Sequence, residues 1–243
     1  MKTIMKHRAV MPMLVAVVIT VLYACQKEDN GPITVTDLEG HSYKAIHIGN
    51  QFWMTENLRV GCFRDGTPIL GGLDDVEWQS AAANPVYALY PDYLIDGLDT
   101  EQEVIGAYGL LYSWAAVADP RGLCPVGWHV PTDDDWEELI TYLGGEDDAG
   151  GKMKSTSTEP HSHPRWDSPN TGADDSYGFE GLPSGYRTFM GGFDEIGYSA
   201  TWWSSTEFDD YFAGAVSLYC HTSTAEQRYK HKKSGLAIRC VRD

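Results

Sequence analysis

Histidines and acids that lie close together in one segment could bind a metal ion. His161 and His163 are spaced to point to the same side of an extended chain, and Glu159 and Asp167 lie nearby. Imidazole and carboxylate groups are common ligands of divalent metals. The segment is rich in proline and serine, however, and a bare His-x-His pattern is more typical of a solvated loop. We therefore predict no metal site and no cofactor.

The sequence lacks the common patterns of nucleophilic and nucleotide-dependent catalysis. Residues 181–185, GLPSG, do not form the Gly-x-Ser-x-Gly elbow of hydrolases, and no phosphate-binding glycine loop or HExxH motif is present. His129 alternates with Trp128 and Val130, which favours a structural histidine in a strand. The 35 acidic residues leave a carboxylate pair for glycoside hydrolysis open, with little specificity. We therefore predict no catalytic residues and no enzymatic activity.

Aromatic residues in the predicted connections are the remaining candidates for a binding site. The predicted ligand-binding residues are Trp166, Tyr198, Tyr211 and Tyr229. Aromatic rings supply a large contact area at a low entropic cost, which suits recognition of a glycan or a protein. The same rings could instead cover the core from outside. The connections that would form the contact face are 146–176, 191–199, 206–213 and 220–233.

The elements that must position these residues are clearest between Gly122 and Gly145. Thr132 predicts a helix N-cap, because its hydroxyl can accept an unpaired backbone N–H of the first turn, and three aspartates follow it. One apolar face follows at helical spacing, formed by Trp136, Leu139, Ile140 and Leu143. Gly144 predicts the end of the helix, and an apolar strand is expected just upstream, over 126–130.

The rest of the chain predicts short strands and one more helix. Residues 43–48 and 51–54 predict a hairpin with Gly49-Asn50 as its two-residue turn. A first helix is expected over 106–118, and the segments 71–106 and 144–175 indicate irregular loops. Further strands are predicted over 185–190, 198–205, 213–219 and 235–241. Two central helices with strands on both sides indicate an α+β fold.

The first 24 residues, 1–24, predict a lipoprotein signal peptide. Basic residues precede an apolar run from Val10 to Leu22 that is too short to span a membrane comfortably. The ending Leu-Tyr-Ala-Cys resembles a bacterial lipobox, in which Cys25 is lipidated. The following Gln-Lys-Glu-Asp resembles the surface-export signal of Bacteroidetes lipoproteins. We expect a polar tether over 25–34 and a lipid anchor in the outer membrane, facing the cell surface; an ordinary signal peptide or a membrane anchor is the alternative.

Five ordered motifs resemble the Fibrobacter succinogenes major paralogous domain family. They are IGNQFWMTENL at 48–58, CPVGWHVPTDDDW at 124–136, GLPSGYR at 181–187, WWSSTE at 202–207 and SGLAIRCVRD at 234–243. The resemblance implies a single domain over 35–243 with a C-type-lectin-like fold, which is loop-rich, with two helices and short antiparallel strands. That scaffold is used mostly for binding. The triplets of its usual calcium–sugar site are incomplete in this sequence, since Ser168-Pro169-Asn170 is the nearest match.

Four cysteines remain after the anchor residue. An even number in an exported chain favours disulfides, and the spacings lack the CxxC pairs of a zinc site. The residues alone leave three pairings open. Because Cys124 and Cys240 both lie in motifs that resemble the family, the resemblance implies a bridge between them. Cys62 and Cys220 would then pair with each other.

Charge restricts the class of partner. The formal net charge of −17 repels nucleic acid and anionic membrane surfaces. We therefore expect a cell-surface lipoprotein that touches the membrane only through its anchor. Its non-catalytic domain would bind an extracellular glycan or protein. One alternative is a passive structural or assembly component of the cell envelope, and another is an enzyme of unknown type.

Overall fold

The computed structural model describes residues 31–91 and 94–243. The predicted signal peptide and the predicted lipidation site, Cys25, lie outside these ranges. The predicted mixed α+β class is confirmed, although strands outnumber helices. Within the described ranges, each helix is too short or too polar to cross a lipid bilayer.

The elements are short and follow one another closely. The strands are β1 (Ile33–Thr36), β2 (Ser42–Ile48), β3 (Gln51–Met54), β4 (Tyr87–Ala88), β5 (Leu111–Ser113), β6 (Trp128–His129), β7 (Ser184–Arg187), β8 (Phe193–Ile196), β9 (Ser199–Glu207), β10 (Phe212–Tyr219), β11 (Ala225–His231), β12 (Gly235–Leu236) and β13 (Val241–Arg242). The helices are α1 (Asp75–Ala81), α2 (Glu101–Tyr108), α3 (Trp114–Val117), α4 (Asp133–Tyr142) and α5 (Glu146–Met153).

Two sheets organise these strands. The smaller has the order β1-β2-β3-β13-β6, so the last strand of the chain lies between early ones. The larger has the order β11-β10-β9-β7-β12-β5-β4, with β8 paired to β7. The pairing of β7 with β9 is parallel, whereas the other strand pairs are antiparallel. The chain passes from the larger sheet at β12 to the smaller sheet at β13, and this short segment therefore connects the two.

Helix α4 and the first hairpin are confirmed. The Thr132 hydroxyl accepts the backbone N–H of Asp135, and the Asp135 carboxylate accepts the backbone N–H of Thr132, which completes a capping box. Gly144, just past the helix, has the left-handed φ of +108° expected of a C-terminal cap. Strands β2 and β3 pair with Ile48 opposite Gln51, as the two-residue turn requires.

The predicted helix over 106–118 is wrong in its bounds. Helix α2 ends at Tyr108, and the chain then forms β5 and the single turn α3. Gly109 explains the break, because its φ is +72° and a Cβ there would lie 2.7 Å from the carbonyl oxygen of Leu58. The predicted strand over 126–130 shrinks to β6, since Gly127 turns the chain with φ +81°.

Several predicted loops contain regular structure. The segment 71–106 holds α1, β4 and α2, and the segment 144–175 holds α5. Strands β8 and β11 lie within the predicted connections 191–199 and 220–233, and β1 begins at Ile33, inside the expected tether. Helix α5 carries Gly150 and Gly151 in its interior, which lowers its intrinsic helix propensity. A Cβ at Gly150 would lie 2.1 Å from the Thr224 carbonyl oxygen, so close packing requires the glycine.

A buried arginine stands at the centre of the fold. Arg239 is 1% exposed, and its guanidinium donates to the Oδ1 of Asn57 from Nε at 3.2 Å and from Nη2 at 3.0 Å. Its Nη1 donates to the carbonyls of Phe179 and Met54 at 2.6 and 3.3 Å. Trp202 Nε1 also donates to Asn57 Oδ1, at 2.8 Å. Burial lowers the pKa of Arg239 to about 9, so these oxygens must compensate its charge.

One disulfide joins the segment before β6 to the last segment of the chain. The predicted Cys124–Cys240 bridge is confirmed, with Cα atoms 6.0 Å apart and a sequence separation of 116 residues. A native disulfide that closes a loop of this length typically stabilises the folded protein by about 2–5 kcal/mol. The predicted Cys62–Cys220 pair is wrong, because both are buried free thiols that pack in different parts of the core. Burial raises the pKa of both thiols.

We expect Asn57→Ala to lower the free energy of unfolding by about 3–5 kcal/mol, because it leaves the buried Arg239 charge and the Trp202 N–H without their shared acceptor. The matched variant Asn57→Asp keeps an acceptor oxygen in place and should lose less. Urea unfolding with the disulfide intact measures both. A loss below about 1 kcal/mol in Asn57→Ala would show that this acceptor is dispensable.

Candidate functional site

Six large apolar side chains are exposed together at one end of the larger sheet. We call them the aromatic surface, which consists of Phe189, Met190, Phe208, Tyr211, Phe212 and Tyr229. Their exposed fractions run from 38% to 66%. Phe208 stacks on Tyr229 with ring centroids 3.9 Å apart. His231 stacks on Phe189 at 4.8 Å and meets Phe212 edge-on at 5.7 Å. These contacts form two groups of rings, one of Phe208 with Tyr229 and one in which His231 links Phe189 to Phe212.

The turn between β9 and β10 holds half of the aromatic surface. Asp209 fixes the turn, because its Oδ1 accepts the backbone N–H groups of Tyr211 and Phe212, each at 2.7 Å. The backbone N–H of Phe208 donates to the carbonyl of Phe212. A short polar side chain therefore orders the backbone that presents three exposed rings.

The turn between β7 and β8 presents Phe189 and Met190. Gly191 has a φ of +100°, and a Cβ there would lie 2.4 Å from the carbonyl oxygen of Asp75 in helix α1. Gln79 of the same helix donates from Nε2 to the carbonyl of Met190 at 2.7 Å. Helix α1 thus supports this turn from behind while its two apolar side chains stay exposed.

A cavity of about 330 Å³ opens beside the aromatic surface. Tyr211 belongs to both. The lining residues are Ala82, Ala83, Trp114, Ala115, Asp210, Tyr211, His231, Lys232 and Lys233. Three alanines and a tryptophan make much of this lining apolar, which is typical of a recognition pocket.

The polar groups around the cavity are held by contacts within the protein. The Lys232 ammonium forms an ion pair with Glu207 and lies 4.5 Å from the ring centroid of Trp114. Trp114 Nε1 donates to the carbonyl of Ser204 at 3.2 Å. Burial lowers the pKa of His231, and the positive charge of Lys233 lowers it further. His231 is therefore neutral at pH 7, and Lys232 is paired, which leaves Asp210 as the free acid of the lining.

A known protein family matches the part of the chain that contains these elements. The model of the Fibrobacter succinogenes major domain matches residues 46–242. The chain belongs to this family. No curated protein and no solved structure matches it. Because the matched range contains every element that carries the aromatic surface, the surface is part of the family domain.

Of the predicted ligand-binding residues, Tyr211 and Tyr229 lie together on the aromatic surface of the family domain, and Tyr198 does not. Tyr198 stacks on His221 at the opposite end of β10, and its hydroxyl lies 3.1 Å from His221 Nδ1. The eight residues of β10 separate the two ends by about 25 Å. The predicted single contact face is therefore wrong, because successive hairpin turns lie at opposite ends of a sheet.

The prediction that Trp166 lies on the contact face is wrong. Trp166 is completely buried, and its Nε1 donates to the carbonyl of Gly181 at 2.9 Å. Its loop folds back on itself, since the backbone of Trp166 bonds to those of Ser157 and Glu159. This ring contributes to the core of the family domain.

A buried lysine orders the loops at the Tyr198 end. Lys154 follows α5, is fully buried, and donates from Nζ to three carbonyl oxygens, those of Thr171, Tyr219 and Thr222, at 2.7–3.0 Å. An ammonium has three hydrogens, so all of them are used. Burial lowers the pKa of Lys154 to about 8. One side chain thereby joins three segments that are distant in sequence.

Of the two histidines considered as metal ligands, His161 is exposed, whereas His163 has structural partners. His163 Nδ1 lies 2.6 Å from the Tyr108 hydroxyl, its Nε2 lies 3.3 Å from Asp96, and burial lowers its pKa. His129 contacts Asp243 and Asp135 at 2.6 and 3.2 Å. Across the described residues, no three histidine, cysteine or acidic side chains are grouped to hold a metal ion.

A further cavity of about 690 Å³ lies between α2 and the segments that follow β1 and β3. Its lining contains both acidic and basic side chains, and several of them form contacts within the protein. His41 Nδ1 lies 3.0 Å from Asp37, and Glu39 accepts the backbone N–H of Gly61 at 2.8 Å. Arg187 donates to two backbone carbonyls. These contacts give its charged groups a structural role.

Sequence reasoning named two of the six residues of the aromatic surface, Tyr211 and Tyr229, and missed the other four. Phe189 and Met190 lie in the predicted strand over 185–190. Phe208 and Phe212 lie in the predicted connection 206–213, where only Tyr211 is predicted as a contact residue. The signal that could have found them is an apolar residue at the tip of a polar turn. Phe208 between acids, in EFDD, and Phe189-Met190 before Gly-Gly show this pattern.

We expect Lys154→Met to destabilise the domain by about 3 kcal/mol or more at pH 7, because three buried carbonyls lose their donor. The folded pKa of Lys154 lies below the ordinary 10.5, so the unfolded chain binds more protons between pH 8 and 10.5. The contribution of Lys154 to the free energy of unfolding therefore rises over that interval. The difference in the free energy of unfolding between the unmodified protein and Lys154→Met should increase with it. Urea unfolding of both proteins at pH 7, 8.5 and 10 tests this, and a constant or shrinking gap would contradict it.

Proposed function

We propose that this protein is a non-catalytic binding module of the cell surface, and that its aromatic surface contacts a glycan or protein ligand. The observation that carries the proposal is the presence of six exposed apolar side chains at one end of the larger sheet, beside a cavity that Tyr211 lines. A soluble protein seldom leaves so many large apolar side chains together in water unless another molecule covers them. Fixed turns present the rings, so little conformational entropy is lost on binding.

The contacts around the cavity support binding over catalysis. Glu207 and Lys232 neutralise each other, and Asp209 is committed to the turn backbone. A general base or nucleophile needs a free proton acceptor near the reacting atom. The side chains here instead hold the rings in position.

We also propose the finer identity that the sequence suggested. In this proposal the fold is C-type-lectin-like, and the strand-dominated, loop-rich architecture supports it. The chain would be lipidated at Cys25 and anchored in the outer membrane, facing outward. A tether there would let the domain reach a ligand outside the cell. The charged start, short apolar run and Leu-Tyr-Ala-Cys ending support the anchor.

The proposed contact role predicts that Phe208→Ala, Tyr211→Ala and Tyr229→Ala each weaken binding. We expect about 2 kcal/mol, or roughly thirtyfold, for the most central ring, because truncating a buried interface aromatic has effects of this size. Glycan and protein arrays probed with the purified protein, with and without calcium, identify the ligand. Titration of that ligand then measures each variant.

Tyr142→Ala is the matched control for this test. Tyr142 lies on α4, away from the aromatic surface, and is 53% exposed against 54% for Tyr229. Its replacement should leave affinity unchanged, and all variants should keep the same unfolding temperature. Arrays without any ligand, or full affinity in the three surface variants, would reject the proposed function in favour of a passive envelope component.

The anchor makes a separate prediction. Cys25→Ala should abolish incorporation of labelled palmitate and release the protein from the membrane fraction, because the lipid is the proposed membrane contact. A Cys62→Ala variant serves as the control and should remain labelled. Membrane retention of unlabelled Cys25→Ala would replace the lipoprotein proposal with a membrane-spanning anchor.

A further inference from the structure

The cavity beside the aromatic surface distinguishes between the two ligand classes. Resting on the proposed function, we propose that the ligand is a protein, and that it inserts one bulky apolar side chain into this cavity while its flanking residues cover the aromatic surface. The cavity volume of about 330 Å³ accommodates a leucine, methionine or phenylalanine side chain. Four observations carry the choice.

The first observation is the chemistry of the cavity walls. The lining residues Ala82, Ala83 and Ala115 have methyl side chains, and Trp114 adds an aromatic ring. An apolar side chain that leaves water for such a site gains about 25 cal/mol for each Å² buried. A sugar would bring hydroxyls to the same walls, and each hydroxyl without a partner would lose about 1–3 kcal/mol.

The second observation is that polar groups nearby already have partners. Lys232 is paired with Glu207, and Lys233 Nζ donates to the carbonyl of Gln79 at 3.3 Å. His231 Nδ1 accepts the backbone N–H of Lys233 at 3.1 Å. Asp210 lies on the rim, where its carboxylate could accept a backbone N–H of an inserted segment. This supply of polar groups suits one peptide contact better than the many hydroxyls of a sugar.

The third observation is the area of the aromatic surface. Exposed fractions of 38–66% on six side chains of about 200 Å² each leave on the order of 600 Å² uncovered. A standard protein–protein interface buries about 800 Å² on each partner. With the cavity mouth added, the surface approaches that size, and it exceeds what one inserted side chain would cover.

The fourth observation is the residue types. Three phenylalanines and a methionine supply no strong hydrogen bond, whereas Tyr211 and Tyr229 each carry a hydroxyl. Phenylalanine, tyrosine and methionine are enriched in protein interfaces. The unbranched Met190 side chain also adapts its shape to a partner.

Site-specific photocrosslinking in the cells that produce the protein tests the inference. The photoreactive residue p-benzoylphenylalanine replaces Tyr229 in the full chain, which marks the aromatic surface and leaves the cavity lining intact. The same replacement at Tyr142 is the control. Ala83→Trp, at an exposed edge of the cavity, is the second change, because an indole there fills the space that a partner's side chain would enter.

We expect irradiation to give a discrete protein adduct at position 229 and none at 142, with a bulky apolar residue in the crosslinked peptide. Adding Ala83→Trp should reduce the adduct at least tenfold while the unfolding temperature stays the same. An undiminished adduct would overturn the cavity insertion. A carbohydrate adduct would overturn the protein partner and leave the proposed function standing. The absence of an adduct at 229 would overturn both.

Discussion

The buried guanidinium of Arg239 is the constraint on which the rest of the structure depends. A charge in the interior is costly unless surrounding groups compensate it, and here the compensation comes from parts of the chain that are far apart in sequence. Asn57 follows the first hairpin, Phe179 precedes β7, and Trp202 lies in β9. These segments must meet around Arg239, so one side chain specifies how both sheets are placed.

The last segment of the chain combines this charge with the disulfide. Arg239 and Cys240 are adjacent, and they lie between β12 in the larger sheet and β13 in the smaller one. Order is therefore concentrated where the two sheets meet. The turns at the far end of the larger sheet contribute neither to the Arg239 contacts nor to the disulfide. Rings such as Phe208 and Tyr211 can stay in solvent there, because the interior is already complete without them.

The sequence predicted what local physics determines. Helix α4 has its cap, its apolar spacing and its terminal glycine within one stretch, and the first hairpin has its turn residues. Helix α5 could not be found this way, because Gly150 has a low helix propensity. A glycine is required at this position by the close approach of the Thr224 carbonyl. The polar composition around Trp166 predicts a solvated loop, whereas its burial depends on distant segments. The grouping of Tyr211 with Phe189 likewise required the strand order, which no local pattern encodes.

The Lys154 site has a consequence for the conditions in which the domain keeps its shape. Converging backbone carbonyls are the ligands that dissolved cations prefer in proteins, and here an ammonium tied to the chain occupies their centre. A side chain cannot diffuse away or be stripped by chelators. The loops that it joins are therefore held by a charge that belongs to the chain itself, and this contact does not depend on the supply of a dissolved cation.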